Sequence, residues 1–538
     1  MFKSGVGEKV LFALLVCLYI APLWGFRYVP TADGPSHLAN AAIIKDYRDP
    51  GATTLREYYV VSGRPSPNLL YHLSLVGLMY VFPPLIAEKV LLSLYVVLFA
   101  AAFRYLVVAV SGRPGPAALL VFPFVFSFSF SLGFFGWAIS LALATLAVGY
   151  YWRRRGGFNV RTVVTLNVLG LAIYLAHLLG WAIFVGTTVV LALSEGGWLW
   201  AKARRSGSSA GEAFRALWSK VAVVVYIAPA AAVGLGYCVK YPSDYPVSHT
   251  PFPELAQNLL RLEWLISFNV WQRAAAYATA ASFGVLVLSV IAYKVYVTLV
   301  CRSFRVPGGW TRRDVIWGVA IAFVVFYFLC PWGGPAGGSY VSPRLALLPF
   351  LVIAVWLSTV PWHIVRRALF ILAPVLAVMN LYGVVLGYAK ANRDLDEYNT
   401  GVPYVTEGAT VLPVHYIYAT GRDKKADYMC NAVNYYVLTN YGVNLLNYEA
   451  DFSYFPVNWR YGAPVGEWVG ESRGTPIYEA EAVYSHADYI VCWKVNPLCG
   501  GMRTILSRYD LVYGTAHLMV FKRRGDESEL IGGRVVDR

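Results

Sequence analysis

Charge is what this sequence has least of. Asp, Glu, Lys and Arg together make up 14% of its 538 residues, where a soluble domain carries about 25%. With 58% hydrophobic residues and a mean hydropathy of +0.52, much of the surface must face lipid rather than water. Acids are scarcer than bases, 30 against 45, for a formal charge of +15. That excess invites a nucleic-acid reading, but the cations are spread between apolar runs and no basic motif gathers them, which argues against nucleic acid as a partner. Cysteine is sparse as well. Four of the seven lie in or beside apolar runs without metal-ligand spacing, and Cys492 and Cys499 could form only a local bridge, in an oxidising compartment. No nucleophile elbow, metal cluster or phosphate loop appears in the polar C-terminal part.

What the chain has in quantity is apolar sequence and aromatic rings: 17 Trp, 39 Tyr and 28 Phe, as expected where amphipathic rings sit at headgroup level. Runs able to cross about 30 Å of hydrocarbon lie near 10–26, 85–110, 117–131, 134–152, 160–177, 180–200, 219–238, 275–299, 314–330, 344–361 and 367–388. The expectation is a polytopic α-helical protein of about 11 transmembrane helices. The first run follows Lys3 and Lys9 without a small-residue cleavage site, and reads as a retained signal anchor. With the N-terminus cytoplasmic, inner loops receive Arg104 and Arg113, the Arg153–Arg155 run, Lys202, Arg204, Arg205, Arg302, Arg305, Arg312, Arg313, Arg366 and Arg367. The short opposite turns after the third and fifth runs carry no Lys or Arg, which is the positive-inside asymmetry. An odd number of spans then places 389–538 outside.

Residues 66–82 are apolar enough to suggest a further span, but counting it would put Arg153–Arg155 outside. With Asn68, His72 and Ser74 among its residues, an interfacial amphipathic helix satisfies the charges better. The domains expected are therefore 1–388, with a first outer loop at 27–84, and an extracytoplasmic domain at 389–538. The latter shifts to mixed polar composition at Asn392. Strand-like runs at 409–418, 436–447, 489–495 and 517–523 make it α/β or α+β. Its Tyr454, Trp459, Tyr461 and Trp468 suit either a core or stacking on sugar rings, and the core reading is favoured.

The first outer loop holds the sharpest motif, Pro30-Thr31-Ala32-Asp33-Gly34-Pro35-Ser36-His37-Leu38-Ala39-Asn40-Ala41. Gly34-Pro35 starts a helix, on which Ser36 and Asn40 share a face. Asp33 falls at its N-cap. Two readings stay open: a carboxylate that caps the helix, or a general base at the membrane surface with His37 one turn on. Glu88, beside Lys89, reads as an interface residue or a local pair.

A signal-anchor span, a Pro-x-x-Asp loop entering a helix, a Pro-rich interfacial helix and a long span containing Arg resemble the GT-C superfamily of integral-membrane glycosyltransferases, which use polyprenyl-phosphate-linked sugars. The segment Ser339-Tyr340-Val341-Ser342-Pro343-Arg344 through Phe350 resembles the outer start of a late span in that family. The resemblance implies an inverting transfer from a polyprenyl-phosphate sugar to a glycan, lipid or protein acceptor. It makes Asp33 and His37 the catalytic candidates. Arg344 would meet the lipid phosphate, with Tyr340, His72 and His177 as further substrate contacts. A divalent cation, Mg or Mn, would take Asp33 as ligand. Two departures stand out: Gly34 replaces a frequent second acid, and the turn Phe130–Trp137 has no carboxylate. Rival explanations are headgroup snorkelling for Arg344 and local hydrogen bonding for His177. The competing functions are a transporter or flippase of lipid-linked glycans and a non-catalytic scaffold presenting the tail domain.

Overall fold

In hydrocarbon every backbone polar group must be satisfied within its own segment, so apolar runs of this length become helices. The computed structural model describes residues 4–241, 248–300, 311–332, 339–415, 426–466, 470–472, 475–495 and 500–525. Its first helices are α1 (Ser4–Gly25), α2 (Gly34–Asp46), α3 (Thr53–Tyr58), α4 (Leu69–Met79) and α5 (Pro84–Ser111). Among the described residues six helices are long and apolar enough to cross a membrane: Gly7–Gly25, Pro84–Ser111, Phe135–Arg154, Leu178–Arg205, Val270–Val297 and His363–Tyr404. A seventh is added if Ala210–Tyr226 and Ala228–Lys240, bent by 55°, count as one span.

The expected 11 spans are therefore not reproduced as full-length helices. Pro116–Ser131, Val160–Ala176 and Val341–Leu357 appear as shorter apolar helices. Pro123 interrupts the first of these, and Pro343 and Pro349 the last, since proline removes a donor and clashes with the preceding turn. The disputed run 66–82 is helical only over Leu69–Met79, 11 residues, or roughly 16 Å at 1.5 Å per residue. That is half the length a span requires.

Two compact units result. The first comprises Met1–Phe26, Pro67–Tyr71 and Lys89–Tyr388; the second, Arg27–Ser66, His72–Glu88 and Ala389–Arg538. The last division lies between Tyr388 and Ala389, and the first outer loop, assigned above with the spans, falls largely in the unit of the tail.

In the first unit, three buried acids meet cations, among them Arg104, Arg155 and Arg312, which the sequence assigned to inner loops. Glu8 takes Arg104 in a fork, both bonds 3.0 Å. Glu195 takes Arg155 at 3.0 Å and also Arg312. Asp314 takes Lys294 at 3.0 Å and the Trp356 indole at 2.8 Å. Close helix approach relies on small residues, as is usual where lipid offers no hydrophobic drive. A Cβ added at Gly136 would lie 2.7 Å from the Ala176 carbonyl oxygen.

Among the described residues the second unit has nine strands: β1 (Tyr59–Val61), β2 (Thr410–His415), β3 (Val443–Asn444), β4 (Val457–Trp459), β5 (Gly470–Ser472), β6 (Thr475–Ile477), β7 (Tyr489–Trp493), β8 (Tyr509–Gly514) and β9 (Leu518–Arg523). Its main sheet has the order β3-β2-β7-β9-β8, parallel from β3 to β7 and antiparallel beyond. Strand β7 is buried throughout and β2 nearly so, which explains their unbroken apolar runs. The expected strand at 436–447 is instead a helical turn, Asn434–Val437, followed by the two-residue β3. The first outer loop enters this unit through β1, which pairs antiparallel with β4 in the register Tyr59↔Trp459. Ile43, Leu55 and Tyr59 share one core with Leu412, Val443, Trp459 and Ile490. Trp459 is thus a core residue and Tyr461 is exposed, while Trp468 and Cys499 lie outside the described residues.

The Gly136 contact yields a stability test. Gly136→Ala should lower the thermal midpoint in detergent by an amount equivalent to roughly 1–3 kcal/mol, the cost of overpacking against backbone. Gly284→Ala, where an added Cβ meets nothing within 4 Å, should be neutral or slightly stabilising. Equal behaviour of the two variants would remove close approach at Gly136 as a determinant of packing.

Candidate functional site

Helix α2 starts where the sequence predicts, with Asp33 at the N-cap and Pro35 in the first turn. The Asp33 side chain, however, makes no capping hydrogen bond. Its Oδ1 accepts instead from Asn431 Nδ2 at 3.2 Å, and the same amide donates to the Ala32 carbonyl at 3.1 Å. The Tyr448 hydroxyl also bonds Asp33. Burial first, then the charges of Asp33 and Glu449, hold that phenol well above its usual range, so it stays protonated.

The rest of α2 is buried against the tail segment, and its polar face has partners there. Asn434 donates to Ser36 Oγ at 2.9 Å and receives Asn444 on its own oxygen at 3.2 Å. Asn40 donates to Glu449 Oε2 at 2.8 Å, and Asn447 donates back to Asn40 Oδ1 at 2.8 Å. The i,i+4 pairing of Ser36 and Asn40 read from the sequence is therefore the face that meets the tail.

At the centre lies Glu449, with no exposed surface. His37 Nδ1 stands 2.6 Å from its Oε1, and His72 Nε2 stands 3.2 Å from its Oε2. The two histidines are 6% and 1% exposed, their rings meet edge to face with centroids 5.2 Å apart, and Phe455 packs on both. Burial pushes the Glu449 carboxyl up, but the His37 charge and hydrogen bonds from both histidines outweigh it and hold the group at about 2. One ligand atom from each of His37, His72 and Glu449 can be chosen so that all lie within 4.8 Å of one another, a donor set that a metal ion could share. Asn444, Asn447 and Glu449 sit at or just beyond the carboxyl end of β3, where open α/β sheets place their ligand sites.

In the first unit, Arg344 is 8% exposed, and its guanidinium lies 4.1 Å over the Phe134 ring. It is buried rather than snorkelling. Tyr340 has a left-handed backbone, φ 62°, and packs on Phe134 and Trp332. His177 starts helix Leu178–Arg205, with Nδ1 accepting from the Leu179 amide at 3.1 Å. Lys89 donates to the Phe26 carbonyl at 2.6 Å. In the second unit Glu88 is buried rather than exposed. The second unit thus brings Asp33, His37 and His72 together around Glu449 and Tyr448; Arg344, Tyr340 and His177 belong to the first.

No protein-family model matches the sequence, and no curated protein matches it. Solved structures do. The crystal structure of ArnT from Cupriavidus metallidurans bound to undecaprenyl phosphate shares 11% identity, with a TM-score of 0.50 over 97% of this chain and 98% of that one. The fold is GT-C-like. The cryo-EM structure of the mycobacterial arabinofuranosyltransferase AftD shares 13% identity with a TM-score of 0.49, and this chain spans 40% of its length. At 11% identity the likeness to ArnT is one of fold, and it is the fold of a multi-pass membrane protein.

Within this GT-C-like fold, sequence reasoning missed Glu449 and the four asparagines 431, 434, 444 and 447. Their spacing, Asn-x-x-Asn twice with Glu two residues on, is a signal of clustered amides in an otherwise apolar stretch. The Asn40 bond provides a test. Asn40→Ala should cost roughly 1–3 kcal/mol in thermal unfolding, because it strips a donor from a buried charge. Asn40→Asp should cost more at neutral pH by placing a second carboxylate beside Glu449. The introduced carboxyl would have a raised pKa, so its penalty should shrink as pH falls and it takes up a proton. A penalty independent of pH would contradict this arrangement.

Proposed function

We propose that the protein transfers a sugar from a polyprenyl-phosphate-linked donor to an acceptor on the outer face of the membrane, with Asp33 as general base. The observation that carries this reading is the state of the Asp33 carboxylate: half-buried, not spent on capping α2, and fixed by Asn431 and Tyr448. A base held in place by neighbouring donors is ready to take the acceptor's proton as the new bond forms. The phosphate leaving group needs a cation. Arg344 supplies a planar fork of donors suited to phosphate oxygens. It lines a small cavity with Tyr95, Phe130 and Trp137 that shares Leu141 and Leu351 with a larger cavity. Phe103, Leu106, Leu191 and Phe323 wall the larger one. A guanidinium next to an apolar cavity suits a ligand with an anionic head and a hydrocarbon tail. A single displacement inverts the anomeric carbon. Such a reaction places the second unit outside and the N-terminus in the cytoplasm, the orientation favoured by the distribution of cations.

The likeness to ArnT, whose crystal structure holds undecaprenyl phosphate, supports the donor class. No comparable observation favours a transporter or a scaffold. In membranes supplied with labelled polyprenyl-phosphate sugars, Asp33→Asn should reduce transfer by about 10²–10⁴-fold, the usual contribution of a general base, at unchanged expression and thermal midpoint. Arg344→Lys should also reduce transfer, because a point charge does not reproduce the fork. Equal transfer by wild type and Asp33→Asn would eliminate Asp33 as the base. Failure of the wild type across a broad donor set would overturn the transferase reading.

A further inference from the structure

We propose that His37, His72 and Glu449 form a binding site for a divalent transition-metal ion of the zinc class. The three ligands come from three separate stretches of the second unit: α2, α4 and the 3₁₀ turn Tyr448–Asp451 beyond β3. Two imidazoles and a carboxylate are a donor set that suits zinc and its neighbours. Mg and Mn prefer shells of oxygen, so this set differs from the cation expected at Asp33.

The ligand atoms lie within 4.8 Å of one another and would draw together on one ion. Zinc bonds nitrogen and carboxylate oxygen at about 2.0–2.2 Å, so tetrahedral ligand atoms stand roughly 3.3–3.5 Å apart. The His72–Glu449 pair is already at 3.2 Å, and the His37–Glu449 pair at 2.6 Å would open by less than 1 Å. The surroundings are those that orient metal ligands. Asn40 donates to Glu449 Oε2 and is itself braced by Asn447. Phe455 packs on both imidazoles, screening them from water. An ion here would clamp α2 to the tail segment one turn beyond Asp33, which makes it a positioning element. The site stands whether or not the chain transfers sugar, since no step of transfer passes through the ion.

The test uses the full chain purified without a polyhistidine tag. It is incubated with zinc, dialysed against buffer, and assayed for metal by elemental analysis; a second sample is loaded with cobalt(II) and its visible absorption recorded. The expected result is about one zinc per chain and a cobalt band of low-symmetry nitrogen and oxygen coordination. His72→Ala and Glu449→Gln should each lose the band and bind at least about tenfold more weakly, the smallest loss usually seen even for an outer-shell partner. His517→Ala should retain both signals, because its ring pairs with Glu397 on the exposed side of the unit. Zinc no higher than the dialysis blank would overturn the proposal, as would equal binding by wild type and the two ligand variants. If the ligand variants do not fold, the wild-type cobalt spectrum decides alone, and absence of a band rejects the site.

Discussion

The polar interior of the second unit depends on one buried carboxylate. Glu449 has no contact with solvent, where an unpaired charge would cost several kcal/mol. It is tolerated because both oxygens are occupied, by His37 on one side and by His72 and Asn40 on the other. Each of those partners comes from the first outer loop or the helix after it, 377 residues or more distant in sequence. Breaking any one of these contacts leaves charge exposed to apolar surroundings. The tail segment and the loop must therefore fold as one body, and the boundary of the unit follows from the chemistry of a single side chain.

The remaining contacts extend that constraint along α2 and into the sheet. Ser36 is bound by Asn434, which in turn accepts from Asn444 on β3. Asn447 reaches both Asn40 and the Tyr59 hydroxyl. Tyr59 stacks on Trp459 at 4.7 Å across the β1–β4 pair. A chain of amides thus runs from the helix that carries Asp33 to the edge of the five-stranded sheet. Networks of this kind specify one arrangement strongly when every member is satisfied. That explains why α2 is buried over most of its length, although its sequence is only moderately apolar.

Local pattern made part of this legible. Apolar runs marked the helices, and alternation or solid apolar stretches marked β2, β7 and β9. The shared face of Ser36 and Asn40 followed from helical spacing alone. The expected runs all fall on helices, but not all are unbroken: hydropathy does not weigh proline, and Pro123 and Pro349 each interrupt a run that composition alone joins. The 436–447 stretch looked like a strand because its aromatic and β-branched residues fit one; the tertiary demand on Asn434 and Asn444 makes it a helical turn and a short β3 instead. Strand β8 was missed because it is an edge strand whose exposed positions carry no clean alternation. Glu449 was beyond reach for another reason. The Asn-x-x-Asn spacing marks the stretch around it as unusual, but its partners are set by contacts that no local window contains.

Two carboxylates close in the fold therefore have different capacities. Glu449 is saturated: the His37 charge and hydrogen bonds from both histidines outweigh its burial and hold its carboxyl at about 2, so at neutral pH it has little tendency to accept a proton. Its value is to fix geometry, directly through His37 and His72 or through an ion they share. Asp33 is half-buried, bound by an amide and a phenol, and lies four residues before His37 on the same helical path. The two acids differ in burial and in partners. The saturated one anchors the helix, and the other is presented at its N-terminus, where a small rotation of α2 would move it farthest. Anchoring at His37 and Asn40 limits that rotation, so the position of Asp33 is inherited from Glu449.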